Sequence, residues 1–169
     1  RSALALAKEF DLDLIIDGAA SAQQYKDTLA ARKIPVVLGM VSHPFVSNEE
    51  IPDMSEYPPV DEATASKLMK AGVKTAVATF SRAFGSLAPA GSSKWILIDA
   101  SIALGFGLTE AEVLRLVTLT PAEILGVQAR VGSLTVGKDA DVLILGGEPL
   151  SVKSWVEKVY VAGELVHSR

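Results

Sequence analysis

Apolar and polar positions alternate along this chain with two different periods, and the change of period divides it. Leu4, Leu6, Ala7 and Phe10 fall on a helical spacing, and the β-branched run of residues 13–16 then closes at Asp17-Gly18, so a helix followed by a strand is predicted. Ser21-Ala22-Gln23-Gln24 has the pattern of a capping box, which predicts a helix from there to about Arg32. Residues 34–39 are apolar throughout, which suits a parallel strand covered on both faces. Asp61 is placed to cap a helix that ends at Gly72, and residues 73–79 form the next strand. Beyond a Gly/Ser/Ala-rich stretch, residues 95–106 read as a buried helix. Thr109-Glu110-Ala111-Glu112 opens another through a second capping box, and Thr120-Pro121-Ala122-Glu123 a short third one, with proline at the first helical position and Gly126 as the stop.

After Gly126 the period falls to two. Residues 131–134, 140–145, 156–161 and 164–166 read as strands separated by tight glycine turns, with no long helix between them. A boundary is therefore expected near residue 127, with residues 1–126 forming strand-helix units and residues 127–169 a β-strand module. Strand-helix alternation implies βαβ crossovers and a parallel sheet. Three strands cannot close a barrel, which takes about eight strands and about 250 residues. Either the chain is a small open three-layer fold, or its missing strands lie elsewhere in a parent polypeptide. Residues 40–60 hold four prolines, Pro44, Pro52, Pro58 and Pro59, and read as a long loop, either a functional lid or binding segment or a simple insertion.

Composition narrows the function classes. With 169 residues, 49% of them hydrophobic, the chain has material for a core. A net charge of −4 with scattered Lys and Arg gives no footprint for nucleic acid. There is no cysteine, so disulfides, thiolate nucleophiles and Cys-based zinc sites are excluded. No apolar run approaches the roughly 20 residues that span a bilayer, and the first nine residues are too short and too soon charged for a signal peptide, so a soluble protein, cytoplasmic or exported, is expected. Gly132-Ser133-Leu134-Thr135-Val136-Gly137-Lys138 has phosphate-loop spacing, but Asp139 stands where Ser or Thr is needed. These glycines are read as turns with Lys138 and Asp139 at the surface. Gly105-Phe106-Gly107 is read as a helix break, and Trp95 and Trp155 as core or interface anchors.

Residues 108–126, with Thr118-Leu119-Thr120-Pro121-Ala122-Glu123-Ile124-Leu125-Gly126 at their end, resemble the final barrel helices of the metal-dependent amidohydrolase superfamily, particularly its imidazolonepropionase-like members. Val131-Gly132-Ser133-Leu134-Thr135-Val136-Gly137-Lys138-Asp139-Ala140-Asp141-Val142 resembles their entry into a composite β-sandwich, and residues 159–166 their closing hairpin. Residues 34–39 and 71–79 are similar to the seventh and eighth barrel strands. The resemblance implies an α/β fold, the C-terminal part of a (β/α)8 TIM-type barrel plus part of a small β-sandwich. It also implies a small-molecule substrate and a zinc or other divalent metal whose bound water attacks a C–N bond, with a carboxylate at the eighth strand moving the proton.

The sequence departs from that pattern at two positions. Phe80 occupies the place of the family's Asp and can neither ligate a metal nor carry a proton, and Asp17 stands where many members have a His. A catalytic zinc takes about three protein ligands, and the chain has two histidines. His43, just past a strand end, is a candidate for substrate or metal, with loop packing as the alternative. Asp17 is a candidate oxygen ligand or a turn residue. Ser81 and Arg82 are candidate substrate contacts, Arg82 through a bidentate clamp on a carboxylate or else as a solvated loop residue. Two readings stand: part of a C–N hydrolase that is inactive alone, or a metal-free relative that binds a small ligand or partner. An incomplete barrel leaves sheet edges and apolar faces uncovered, so the rest of a parent polypeptide or a further copy is expected as partner.

Overall fold

The computed structural model describes residues 2–18, 21–39, 61–79 and 95–169. Helix α1 (Ser2–Glu9) leads to strand β1 (Ile16–Asp17), a 3-10 turn (Ala22–Tyr25) and helix α2 (Lys26–Ala31). Strand β2 (Val36–Leu38), helix α3 (Thr64–Lys70) and strand β3 (Thr75–Val77) follow. Helix α4 (Ile96–Ser101) tightens into a 3-10 turn (Ile102–Phe106), and α5 (Glu110–Val117) and α6 (Leu119–Ile124) complete the helical part. Strands β4 (Val142–Leu145), β5 (Val156–Val161) and β6 (Glu164–Ser168) close the chain.

The strand-helix alternation produces the expected parallel sheet, in the order β1-β2-β3. Ile16 lies beside Val36, and Val36 beside Thr75, with Val37 next to Ala76 and Leu38 next to Val77. Short as they are, β2 and β3 are largely buried under the helices, whereas β1 has Ile16 half-buried and Asp17 exposed. Val36, Leu29, Leu68, Val113, Thr75 and Leu116 are the largest fully buried side chains. A buried leucine of this kind contributes about 2–3 kcal/mol through the apolar surface it removes from water. Ser66 Oγ and Lys70 Nζ of α3 both donate to the Phe106 carbonyl, at 2.8 and 3.0 Å, and so satisfy the end of the second 3-10 turn, where Gly107 breaks the helix as expected.

Several local expectations are corrected. The first strand is centred later than its β-branched run, because only Ile16 and Asp17 find a partner in β2. Ser21 makes no side-chain cap. Its backbone, at φ −104 and ψ 16, is not the extended cap conformation, and the chain enters a 3-10 turn instead of an α-helix. The second capping box is present: Glu112 N donates to Thr109 Oγ1 at 3.3 Å, and Thr109 N donates to Glu112 Oε2 at 2.7 Å. Pro121 is the third residue of α6, not the first, but still within the turn whose amides lack helical partners, so its missing N–H costs nothing there. Asp61 Oδ1 accepts from Ala63 N at 3.0 Å, fixing the turn that precedes α3.

Residues 131–134 are not a strand. Val131 N donates to Val127 O and Asp139 N to Arg130 O, so the segment is a series of turns closed by the Arg130–Asp139 ion pair at 2.6 Å. The phosphate-loop lookalike is thus held as turns, although Lys138 and Asp139 are half-buried, not at the surface. Gly132 is required there: at φ +88, a Cβ would sit 2.8 Å from Ala122 Cβ and 3.0 Å from both Leu119 Cα and Thr118 O. Strands β4, β5 and β6 form a separate antiparallel sheet in sequence order. Trp95 and Trp155 are 53% and 47% exposed, which removes the core reading for both; the Arg169 guanidinium lies 5.8 Å from the centre of the Trp155 ring.

Candidate functional site

In a parallel sheet every strand presents its carboxyl end at the same edge, and helix-covered sheets of this kind bind ligands there. That edge is formed by Asp17-Gly18 after β1, Gly39 after β2 and Ala78-Thr79 after β3. Gly18 N donates to Val37 O at 3.0 Å and Ala78 N to Leu38 O at 2.8 Å, so hydrogen bonding continues past each strand and fixes the relative height of the three ends. Asp17 stands at this edge and is exposed, which suits an oxygen ligand and a turn residue alike. His43, Phe80, Ser81 and Arg82 lie outside the described residues, four residues beyond Gly39 and directly after Thr79 respectively. The fold therefore gathers the chain positions that lead into all five candidates at one edge.

Among the described residues, no three His, Cys, Asp or Glu side chains come together to hold a metal ion. Asp17 by itself falls short of the roughly three protein ligands of a catalytic zinc, so the described residues do not make a metal site on their own.

The same edge holds polar groups that the sequence pattern did not mark as functional. The loops after β1 and β2 re-enter the helical layer at Gln23 and Asp61, and Gln23 Nε2 reaches Asp61 Oδ2 at 3.5 Å. Lys67 Nζ donates to the same oxygen at 2.6 Å. This hydrogen bond from Lys67 holds the Asp61 carboxyl below the usual carboxylate range, with the Ala63 amide and the Lys67 charge adding to it against a partial burial that pushes the other way. Gln23 Oε1 and Thr64 Oγ1 are buried and find no hydrogen-bond partner among the described residues. Asp99, 8% exposed on α4, is a buried acid whose sequence signal was a lone carboxylate inside an apolar helical run.

The family model for the amidohydrolase family matches residues 19–166. The crystal structure of an amidohydrolase from Thermotoga maritima MSB8 superimposes with a TM-score of 0.82 at 32% identity, covering 99% of this chain and 40% of that one. An adenosine deaminase from Xanthomonas campestris with bound zinc shares the fold at a TM-score of 0.63 and 23% identity, covering 96% of this chain and 39% of its own. Amidohydrolase tasK of Hapsidospora irregularis is 29% identical over 75 residues, 44% of this chain and 8% of that protein. The chain thus spans about two fifths of the solved relatives and less than a tenth of the curated one. With a parallel sheet, a shared fold and a family match running through both sheets, this chain belongs to the amidohydrolase family.

Proposed function

We propose that this chain supplies the last strand-helix units of a (β/α)8 barrel, residues 1–126, and part of a β-sandwich, residues 127–169, to a hydrolase of C–N bonds other than peptide bonds. The observation that carries the reading is the three-stranded parallel sheet whose carboxyl edge bears Asp17 and leads directly into the segments holding His43 and Phe80. In this reading Asp17 and His43 are the metal-ligand candidates, and His43, Ser81 and Arg82 contact substrate. Arg82 suits a substrate carboxylate, because its planar guanidinium offers two parallel donors. When bound, a zinc or other divalent ion would supply an activated water and polarise the scissile carbonyl. In this reading the chain alone is inactive, because a closed barrel takes about eight strands and the described residues supply three parallel ones.

Exposed apolar side chains support the reading that other parts of a polypeptide cover this chain. Leu134 and Val136 on the turns before β4, and Leu6, Phe10 and Leu12 at the amino-terminal end, all stand open to solvent.

A second reading, a metal-free relative that binds a small ligand, is favoured by Phe80, which replaces the proton-carrying Asp. Metal analysis of the full-length protein, together with turnover of a panel of amides and cyclic amides, tests both. Stoichiometric zinc with turnover supports the hydrolase, and Asp17→Asn should then lower zinc occupancy. Ligand binding with neither metal nor turnover supports the second reading and overturns the first.

A further inference from the structure

We propose that Gln23 and Asp61 form a latch that positions the carboxyl end of β1 against the next strand-helix unit, so that Asp17 is held at a fixed place on the candidate reactive edge. The claim that this edge is reactive rests on the function proposed above; the latch is tested without it. Three observations carry the proposal.

The first is topological. Gln23 lies in the 3-10 turn that follows β1, and Asp61 precedes the helix that follows β2, so their contact joins two neighbouring strand-helix units at the end of the sheet where Asp17 sits. The second is that Asp61 is itself immobilised: Lys67 Nζ at 2.6 Å and Ala63 N at 3.0 Å hold its two oxygens, and Thr64 N donates to its carbonyl at 2.9 Å. A carboxylate so held accepts only from the amide nitrogen of Gln23, which dictates which way the Gln23 carboxamide faces.

The third observation is the cost. Facing that way leaves Gln23 Oε1 buried with no partner among the described residues, and Thr64 Oγ1 at the start of the next helix is in the same position. Buried polar atoms in folded proteins almost always find partners, and an apolar side chain of similar shape at position 23 would leave no orphan. Glutamine at position 23 is therefore assigned a restraining role and not a stabilising one. Its contact with Asp61 is long, at 3.5 Å, so the latch restrains the loop without adding much to the global fold.

The test is Gln23→Met in the full-length protein, read by amide hydrogen exchange and thermal unfolding. The exchange of the Gly18 amide, which bonds Val37 O, and of the amides of residues 22–25 should rise by about two- to five-fold, less than the loss of a full hydrogen bond because the contact is long, while the melting temperature stays the same or rises. Gln23→Glu is the second variant. It keeps the shape but sets a carboxylate against Asp61, and it should accelerate the same amides. Unchanged exchange in both variants overturns the latch. So does faster exchange that spreads over the whole chain with a fall in melting temperature, since Gln23 would then be an ordinary packing residue.

Discussion

Gly132→Ala tests how the β-strand module is joined to the helical part. Gly132 carries φ +88, and a methyl group there would meet Ala122 Cβ at 2.8 Å and the backbone of Leu119 and Thr118 at 3.0 Å, so neither the residue nor its neighbours can yield without moving α6. The left-handed backbone costs an L-residue about 1–2 kcal/mol. Forcing a methyl into a filled space costs about 1–3 kcal/mol more. The sum is about 2–5 kcal/mol, which at a urea slope of about 2 kcal/mol per M lowers the midpoint by about 1–2.5 M. Gly137→Ala is the control. It shares the backbone conformation, at φ +92, but a Cβ there has nothing within 4 Å, so only the strain of about 1–2 kcal/mol applies. Equilibrium urea unfolding of the full-length protein, followed by circular dichroism and tryptophan fluorescence, reads both. Equal midpoints for the two variants would refute the argument that Gly132 lies directly against the α6 backbone.

Three further outcomes are expected. Leu68→Ala, at a fully buried core position between α3 and the sheet, should destabilise the fold by about 2–5 kcal/mol, and a loss below about 1 kcal/mol would show that the site collapses around the smaller side chain. Thr109→Ala removes the side chain that caps α5 and should cost about 1 kcal/mol by the same urea assay, whereas Ser21→Ala, where no cap forms, should be neutral within about 0.5 kcal/mol. Both Asp61 and Glu112 are held below their ordinary carboxylate values, Asp61 first by Lys67 and Glu112 first by the Thr109 backbone amide. A depressed folded value stabilises the protein above the unfolded pKa, and that contribution is lost as pH falls below about 4 through the lowered folded value. Asp61→Asn should therefore show a shallower loss of urea midpoint between pH 5 and pH 3 than the parent, and parallel curves would contradict the assignment.

Much of the fold was legible because its determinants are local or periodic. The continuous apolar run around Val36 suited a covered parallel strand, residues 73–79 read as the next strand, and Thr109 with Glu112 specified a helix start that the structure reproduces atom for atom. The misread elements were those decided by partners far away in sequence. Residues 131–134 have β-type side chains, but no strand among the described residues pairs with them, and the backbone closes into turns. Ser21 and Gln24 fit a capping pattern that the 3-10 geometry of the turn does not use. At the candidate site, chain order was enough to place Asp17 at a strand end, since strand polarity follows from βαβ alternation. The pairing of Gln23 with Asp61 was not legible, because nothing in either local pattern encodes a contact across 38 residues.

The turn between β5 and β6 depends on the segment that leads into β4. Ala162 adopts φ +50, unfavourable for a residue with a Cβ, yet its amide donates to Asp141 Oδ1 at 2.8 Å and the Gly163 amide donates to Ala140 O at 3.0 Å. The donors of a two-residue hairpin turn are thus supplied with acceptors by residues that lead into β4. An isolated β5–β6 hairpin lacks those acceptors, so the turn is held in place by the segment entering β4 as well as by its own two strands.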